Sequence, residues 1–106
     1  MQFVNYDIKT FKINGKNYDL YVADDNDKRI KGLAGINTLS QDKGMIFEYE
    51  NCGEREFTME NTNIYLCIIF LDESMNVIKH EYANPRQQSL IYCDDRRCKF
   101  VIEIPG

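Results

Sequence analysis

The sequence predicts a mostly β (α+β) protein, a compact antiparallel β-barrel or sandwich of about eight strands with one short helix. Three observations lead there. Ile64 to Leu71 are all apolar or aromatic apart from Cys67, which behaves as a small hydrophobe when its thiol is free. Several shorter segments alternate apolar and polar residues, the period of a half-buried strand. Turn-forming groups such as Asn14-Gly15, Asn51-Cys52-Gly53 and Asn84-Pro85 divide these segments at short intervals. A chain of 106 residues with 43% hydrophobic residues supports one core, so 1–106 is expected to be a single β-rich domain.

Gln2 to Ile13 is β-like, with Val4, Tyr6 and Ile8 on one face and Phe11 and Ile13 on the other. A regular strand cannot switch faces, so a bulge or bend is expected near Lys9-Thr10. Asn14-Gly15 is a type I′ hairpin signal, because that turn needs φ > 0 at both central positions. Tyr18, Leu20 and Val22 alternate along the returning strand. Acids from Asp24 to Asp27 precede Lys28, Arg29 and Lys31, and Gly32 follows. That order suits the dipole and left-handed cap of a helix near residues 25–32, with Ile30 and Leu33 docking on the sheet.

Thr38 to Lys43 is a polar loop or single helical turn. Met45, Phe47 and Tyr49 alternate, as do Phe57 and Met59, giving two more strands. The run from Ile64 to Leu71 lacks polar alternation, so both its faces should be covered and it should be the central strand. Asp72 to Asn76 is its turn, and Val77 to His80 the returning strand. Ser89 to Cys93 and Cys98 to Ile104 form a last hairpin. Phe100, Ile102 and Ile104 point inward there, and Lys99, Val101 and Glu103 outward.

The same residues carry a resemblance. Phe57-x-Met59-x-Asn61-Thr62 followed by Ile68-Ile69-Phe70-Leu71-Asp72 is similar to the central signature of the domain of unknown function 192 family. Arg29-x-x-Gly32-Leu33, Gly44-Met45-Ile46-Phe47, Ala83-Asn84-Pro85 and the closing Val101-Ile102-Glu103-Ile104-Pro105-Gly106 resemble its other landmarks, in order, from about Val22 onward. The resemblance implies a compact β-rich domain of no established biochemical function. It also implies Trp, Lys, Pro and Asp at positions where this chain has Thr58, Glu60, Tyr65 and Cys67. The missing carboxylate matters most, since a buried Asp with a raised pKa would be the natural acid or base.

Net charge is 13 − 17 = −4, the basic residues are scattered, and Arg96-Arg97 is neutralised by Asp94-Asp95. Such a surface repels phosphate backbones, so nucleic acid is an unfavoured partner. Eight apolar residues are too few to span a bilayer, and the N-terminus lacks the charge and apolar run of an export signal. A cytoplasmic location with reduced cysteines is therefore expected.

Each candidate site has a plain structural reading beside it. Asn61 and Thr62 are expected to fix the turn into the long strand. They would be the polar groups of any pocket there, with Phe57, Met59 and Cys67 around them. Cys67 with His80, the only histidine, could form a nucleophile–base pair, although a thiol in apolar surroundings stays protonated. Cys93 and Cys98 flank a four-residue loop and read as structural thiols, a reversible disulfide, or two ligands of a metal site. No phosphate loop, serine-hydrolase elbow, zinc-protease motif or calcium loop is present.

These readings favour a small non-enzymatic binding or assembly domain with no cofactor, acting on a protein partner or on a second copy of itself. Composition and the family's occurrence suit a phage-encoded accessory or virion-associated role. Two alternatives stay open: a hydrolase-like or ligand-processing enzyme near Asn61, Cys67 and His80, and a redox or metal module through Cys93 and Cys98.

Overall fold

The computed structural model describes residues 3–106. Eight strands and one helix follow one another as β1 (Ile8–Ile13), β2 (Lys16–Ala23), α1 (Asn26–Lys31), β3 (Lys43–Glu48), β4 (Arg55–Phe57), β5 (Leu66–Asp72), β6 (Val77–Ala83), β7 (Ile91–Cys93) and β8 (Cys98–Pro105). Six strands make one sheet in the order β1-β2-β3-β8-β5-β6, and β4 pairs with β7 in a separate ribbon. Every ladder is antiparallel except β2–β3, which α1 joins as a parallel crossover.

Local signals place the turns. Asn14 and Gly15 have φ of 50° and 81°, the doubly left-handed pair that closes the β1–β2 hairpin. Asp25 caps α1 by accepting from the Lys28 backbone N–H at 2.8 Å. Asp72 accepts from the backbone N–H groups of Ser74 and Asn76, each at 2.9 Å, and so shapes the turn between β5 and β6.

Several expectations need correction. Phe3 to Asn5 form a turn, so Val4 and Tyr6 precede the first strand; the change of parity marks where β1 begins rather than a bulge in it, and Gln2 lies outside the described residues. Ile30 is 83% exposed, because the short helix turns Arg29 inward and buries no apolar residue of its own; Leu33, beyond its end, does the docking alone. β5 is buried on both faces, but β3 and β8 hold the middle of the sheet. β7 and β8 are not a hairpin: β7 pairs with β4, while β8 inserts between β3 and β5.

Insertion of β8 explains its burial. Val101 and Glu103 are as buried as Ile102 and Ile104, so the outward assignment of Val101 and Glu103 fails. One face of the sheet packs Met45, Phe47, Leu66, Ile68, Phe70 and Val101 beneath Leu33, Ile36, Met59 and the β4–β7 ribbon. The other face gathers Leu20, Val22, Ile46, Cys67, Ile69, Leu71, Ile102 and Ile104. Phe11, Ile13, Tyr18 and Phe100 border that second cluster, and the curl of the sheet itself brings its members together. β1 and β6 do not pair, so the curled sheet stays open and is not a closed barrel.

Candidate functional site

A cleft of about 430 Å³ opens over the covered face, between α1 with the loop behind it and residues 56–62. Its geometry starts with backbone approach. Gly44 of β3 lies against β8 so closely that a Cβ there would strike the Glu103 carbonyl oxygen and the Ile104 side chain. That contact sets β8 tight on β3, with Glu103 opposite Met45 on one side and Ile68 on the other. The Glu103 side chain then rises among apolar neighbours to the cleft floor.

Glu103 is 5% exposed, and among the described residues no group donates a hydrogen bond to its carboxyl. Burial pushes its pKa up to about 8, so the side chain is mainly a neutral acid at pH 7. Alternation missed this residue because it assumes one solvent-facing side, and β8 has none. A usable signal was present: Glu103 is the only charge between Val101 and Pro105.

Around that floor stand groups with partners. Arg29, its side chain 9% exposed, donates to the Glu48 carbonyl at 2.7 Å and to Asn26 Oδ1 at 2.9 Å, and pairs with Glu50 at 3.4 Å. Its guanidinium lies 5.2 Å from the Tyr49 ring centre, and that of Arg55 lies 3.8 Å away. Burial raises the Tyr49 pKa, opposed by those two cations. Arg55 also donates to the Cys98 carbonyl at 3.0 Å, tying the start of β4 to the start of β8. Phe47 and Phe57 meet edge to face at 5.0 Å along the wall.

The residues expected to form a site divide. Phe57 and Thr62 line the cleft, as does Thr58, whose hydroxyl accepts from the Glu60 N–H at 3.0 Å. Met59 is fully buried beneath them as core. Asn61 is exposed and left-handed at φ 61°, and its carbonyl accepts from Gly35 N–H at 2.8 Å; it fixes the turn and does not line the cleft.

Cys67 belongs to the curled face, away from the cleft. Its thiol is raised by burial, with a Tyr82 hydrogen bond acting the other way. His80 stands across from Ile69 and meets the Tyr82 ring edge-on at 5.9 Å, so it is near Cys67 but not hydrogen-bonded to it. The structure does not bring Asn61, Cys67 and His80 into one pocket. Cys93 and Cys98 are buried free thiols, and Cys98 is raised to about 11 by burial and by Cys93 nearby. Cys98 donates to the Phe100 carbonyl at 3.5 Å. Among the described residues no three His, Cys, Asp or Glu side chains cluster as metal ligands would, and no helix is long and apolar enough to cross a membrane.

The motifs noted in the sequence converge on this cleft: Arg29, Gly32 and Leu33 from one, Phe47 from the next, Phe57 and Thr62 from the third, and Glu103 from the last. The family model of domain of unknown function 192, described as "Uncharacterized ACR", matches residues 9–106. The chain belongs to that family. None of the curated proteins matches it. Among solved structures, one from Sinorhizobium meliloti 1021 described as a "putative transcription regulator" is 24% identical over 97% of this chain and 84% of its own, with a TM-score of 0.79. A protein of unknown function from Novosphingobium aromaticivorans is 21% identical over 100% of this chain and 86% of its own, with a TM-score of 0.78. Both have the same fold, and at these identities the likeness extends no further.

Proposed function

We propose that this is a binding domain that takes a small ligand in the cleft over Glu103 without covalent chemistry. One observation carries the reading: a buried carboxyl with no hydrogen-bond partner among the described residues ends at the floor of a cleft that residues of four sequence motifs surround. An unpaired polar group in that position is costly unless something else completes it. The groups lining the cleft include no cysteine or histidine, and the Thr58 hydroxyl is already occupied by Glu60.

The test is a small-fragment screen followed by amide chemical shifts of the full chain. Binding should move the amides of Gly32, Thr58, Thr62 and Glu103 together. Shifts confined to the curled face, or no bound fragment at all, would end the reading.

A second reading, ligand processing, is favoured by a single property: Glu103 holds a proton near neutral pH and could deliver it. That chemistry would run through Glu103 and not through Cys67 and His80. A ligand that still binds to Glu103→Gln but is converted only by the wild type would select it.

A further inference from the structure

The surroundings of Glu103 narrow the ligand's chemistry. Phe47 pairs across the ladder with Val101, the residue next to Glu103 on the same face, and Phe57 packs edge to face on Phe47. A carboxyl beside aromatic rings suits a cation, which gains both a charge-assisted hydrogen bond and attraction to the rings. Glu56 and Glu60 add two exposed carboxylates to the lining. Of the lining cations, Arg29 is turned away to the Glu48 carbonyl, Asn26 and Glu50, which leaves the exposed Lys31.

We propose that the cleft takes a ligand bearing a protonated amine, with its ammonium group between the Glu103 carboxylate and the half-buried Phe57 ring, which the fully buried Phe47 backs. This rests on the binding reading above and names the ligand class for it. An anionic ligand would meet three carboxyl groups, Glu56, Glu60 and Glu103. A neutral alcohol could satisfy Glu103 but would draw nothing from the rings or the lining carboxylates.

Pairing with an ammonium requires Glu103 to ionise, so binding releases its proton to solvent. The charged and titratable groups that line the cleft with Glu103 are Arg29 and Lys31 from α1, Tyr49 after β3, and Glu56 and Glu60 from the far wall. Its partners across β3 and β5, Met45 and Ile68, carry no charge. Affinity should therefore rise with pH while the amine remains protonated. Between about pH 6.5 and about pH 8.5 the gain is on the order of twentyfold, since the carboxyl titrates near 8.

The experiment titrates n-butylamine, n-butyltrimethylammonium, n-butanol and butyrate into the full chain at both pH values, following cleft amides by NMR, with wild type and Glu103→Gln in parallel. n-Butylamine should bind about tenfold more tightly than butanol, tighten as pH rises, and lose that preference in Glu103→Gln; n-butyltrimethylammonium, with no N–H to donate, should bind more weakly than the amine while still tightening with pH. Butanol or butyrate binding as well as the amines, or a response flat with pH, overturns the amine while leaving cleft binding intact. If no probe moves the cleft amides while the fragment screen finds other ligands there, the amine alone fails; if neither binds, both readings fail. Should Glu103→Gln not fold, the wild-type ranking and pH response still decide.

Discussion

The two faces of the sheet are both buried, yet they treat a polar side chain in opposite ways. On the curled face the sheet covers itself, so Cys67 is closed in by its own strand neighbours and keeps its proton. On the other face the cover is the loop after α1, a short ribbon and the turn carrying Met59. An irregular cover cannot match a pleated surface everywhere, and the mismatch is the cleft that reaches Glu103. Burial alone therefore does not distinguish an inert polar residue from a useful one. What distinguishes them is whether the covering layer leaves a path to solvent.

The largest expected effect tests Glu103 as a buried acid. Its native pKa of about 8 lies above the ordinary 4.5, so the folded chain holds a proton that the unfolded chain has already released. Stability is then complete below the unfolded pKa, falls as pH rises, and levels off once the native carboxyl has ionised. The loss relative to pH 4 is about 3 kcal/mol at pH 7 and approaches about 5 kcal/mol at pH 9. Asp19, Asp72 and Asp95 are lowered and act in the opposite sense, but only at acid pH. Urea midpoints across this range should fall for the wild type and stay nearly level for Glu103→Gln. Parallel curves would mean that the cleft hydrates Glu103 as an ordinary surface acid, and the contrast between faces would lose its basis.

A smaller effect is expected where the two faces share one backbone contact. Gly44→Ala would force β3 away from the Glu103 carbonyl and the Ile104 side chain, costing about 1–3 kcal/mol. Because that contact also sets the height of Glu103, the variant should flatten the pH dependence along with lowering stability. A loss of stability with the pH slope unchanged would separate the two roles. Smaller again is Asp25→Ala, which removes the cap that starts α1 and should cost about 1 kcal/mol in thermal or urea unfolding. Since α1 forms one wall of the cleft, ligand affinity should weaken with it, whereas the curled face should not change.

What was legible in the sequence follows the range of the interactions. The Asn14-Gly15 hairpin, the capped helix and the β5–β6 turn are specified by residues within a few positions of one another. The parallel β2–β3 pair and the insertion of β8 between β3 and β5 are pairings between distant segments, which alternation within one segment cannot encode. The site divided along the same line. Phe57 and Thr62 sit in a local motif and line the cleft, while Glu103 reaches its floor only because of which strands flank β8, which alternation within one segment does not carry. Cys67 stands where the family resemblance implies an Asp, yet strand alternation turns it to the curled face while its neighbour Ile68 faces the covered one.

The smallest expected effect is also the most direct check on the division between faces. Cys67→Ala deletes one sulfur from a closed aliphatic cluster, for a loss of about 1 kcal/mol. His80→Ala alters an exposed ring and should stay within about 0.5 kcal/mol of the wild type. Neither change reaches the cleft, so probe binding and its pH response should match the wild type in both variants and in the double variant. The two residues lie near each other on the curled face, and a working thiol–imidazole pair would make their effects strongly non-additive. Additive changes with unaltered binding follow if Cys67 is simply packed; coupling between them would restore the thiol–imidazole pair, and a shift in probe affinity would show that the curled face communicates with the ligand site.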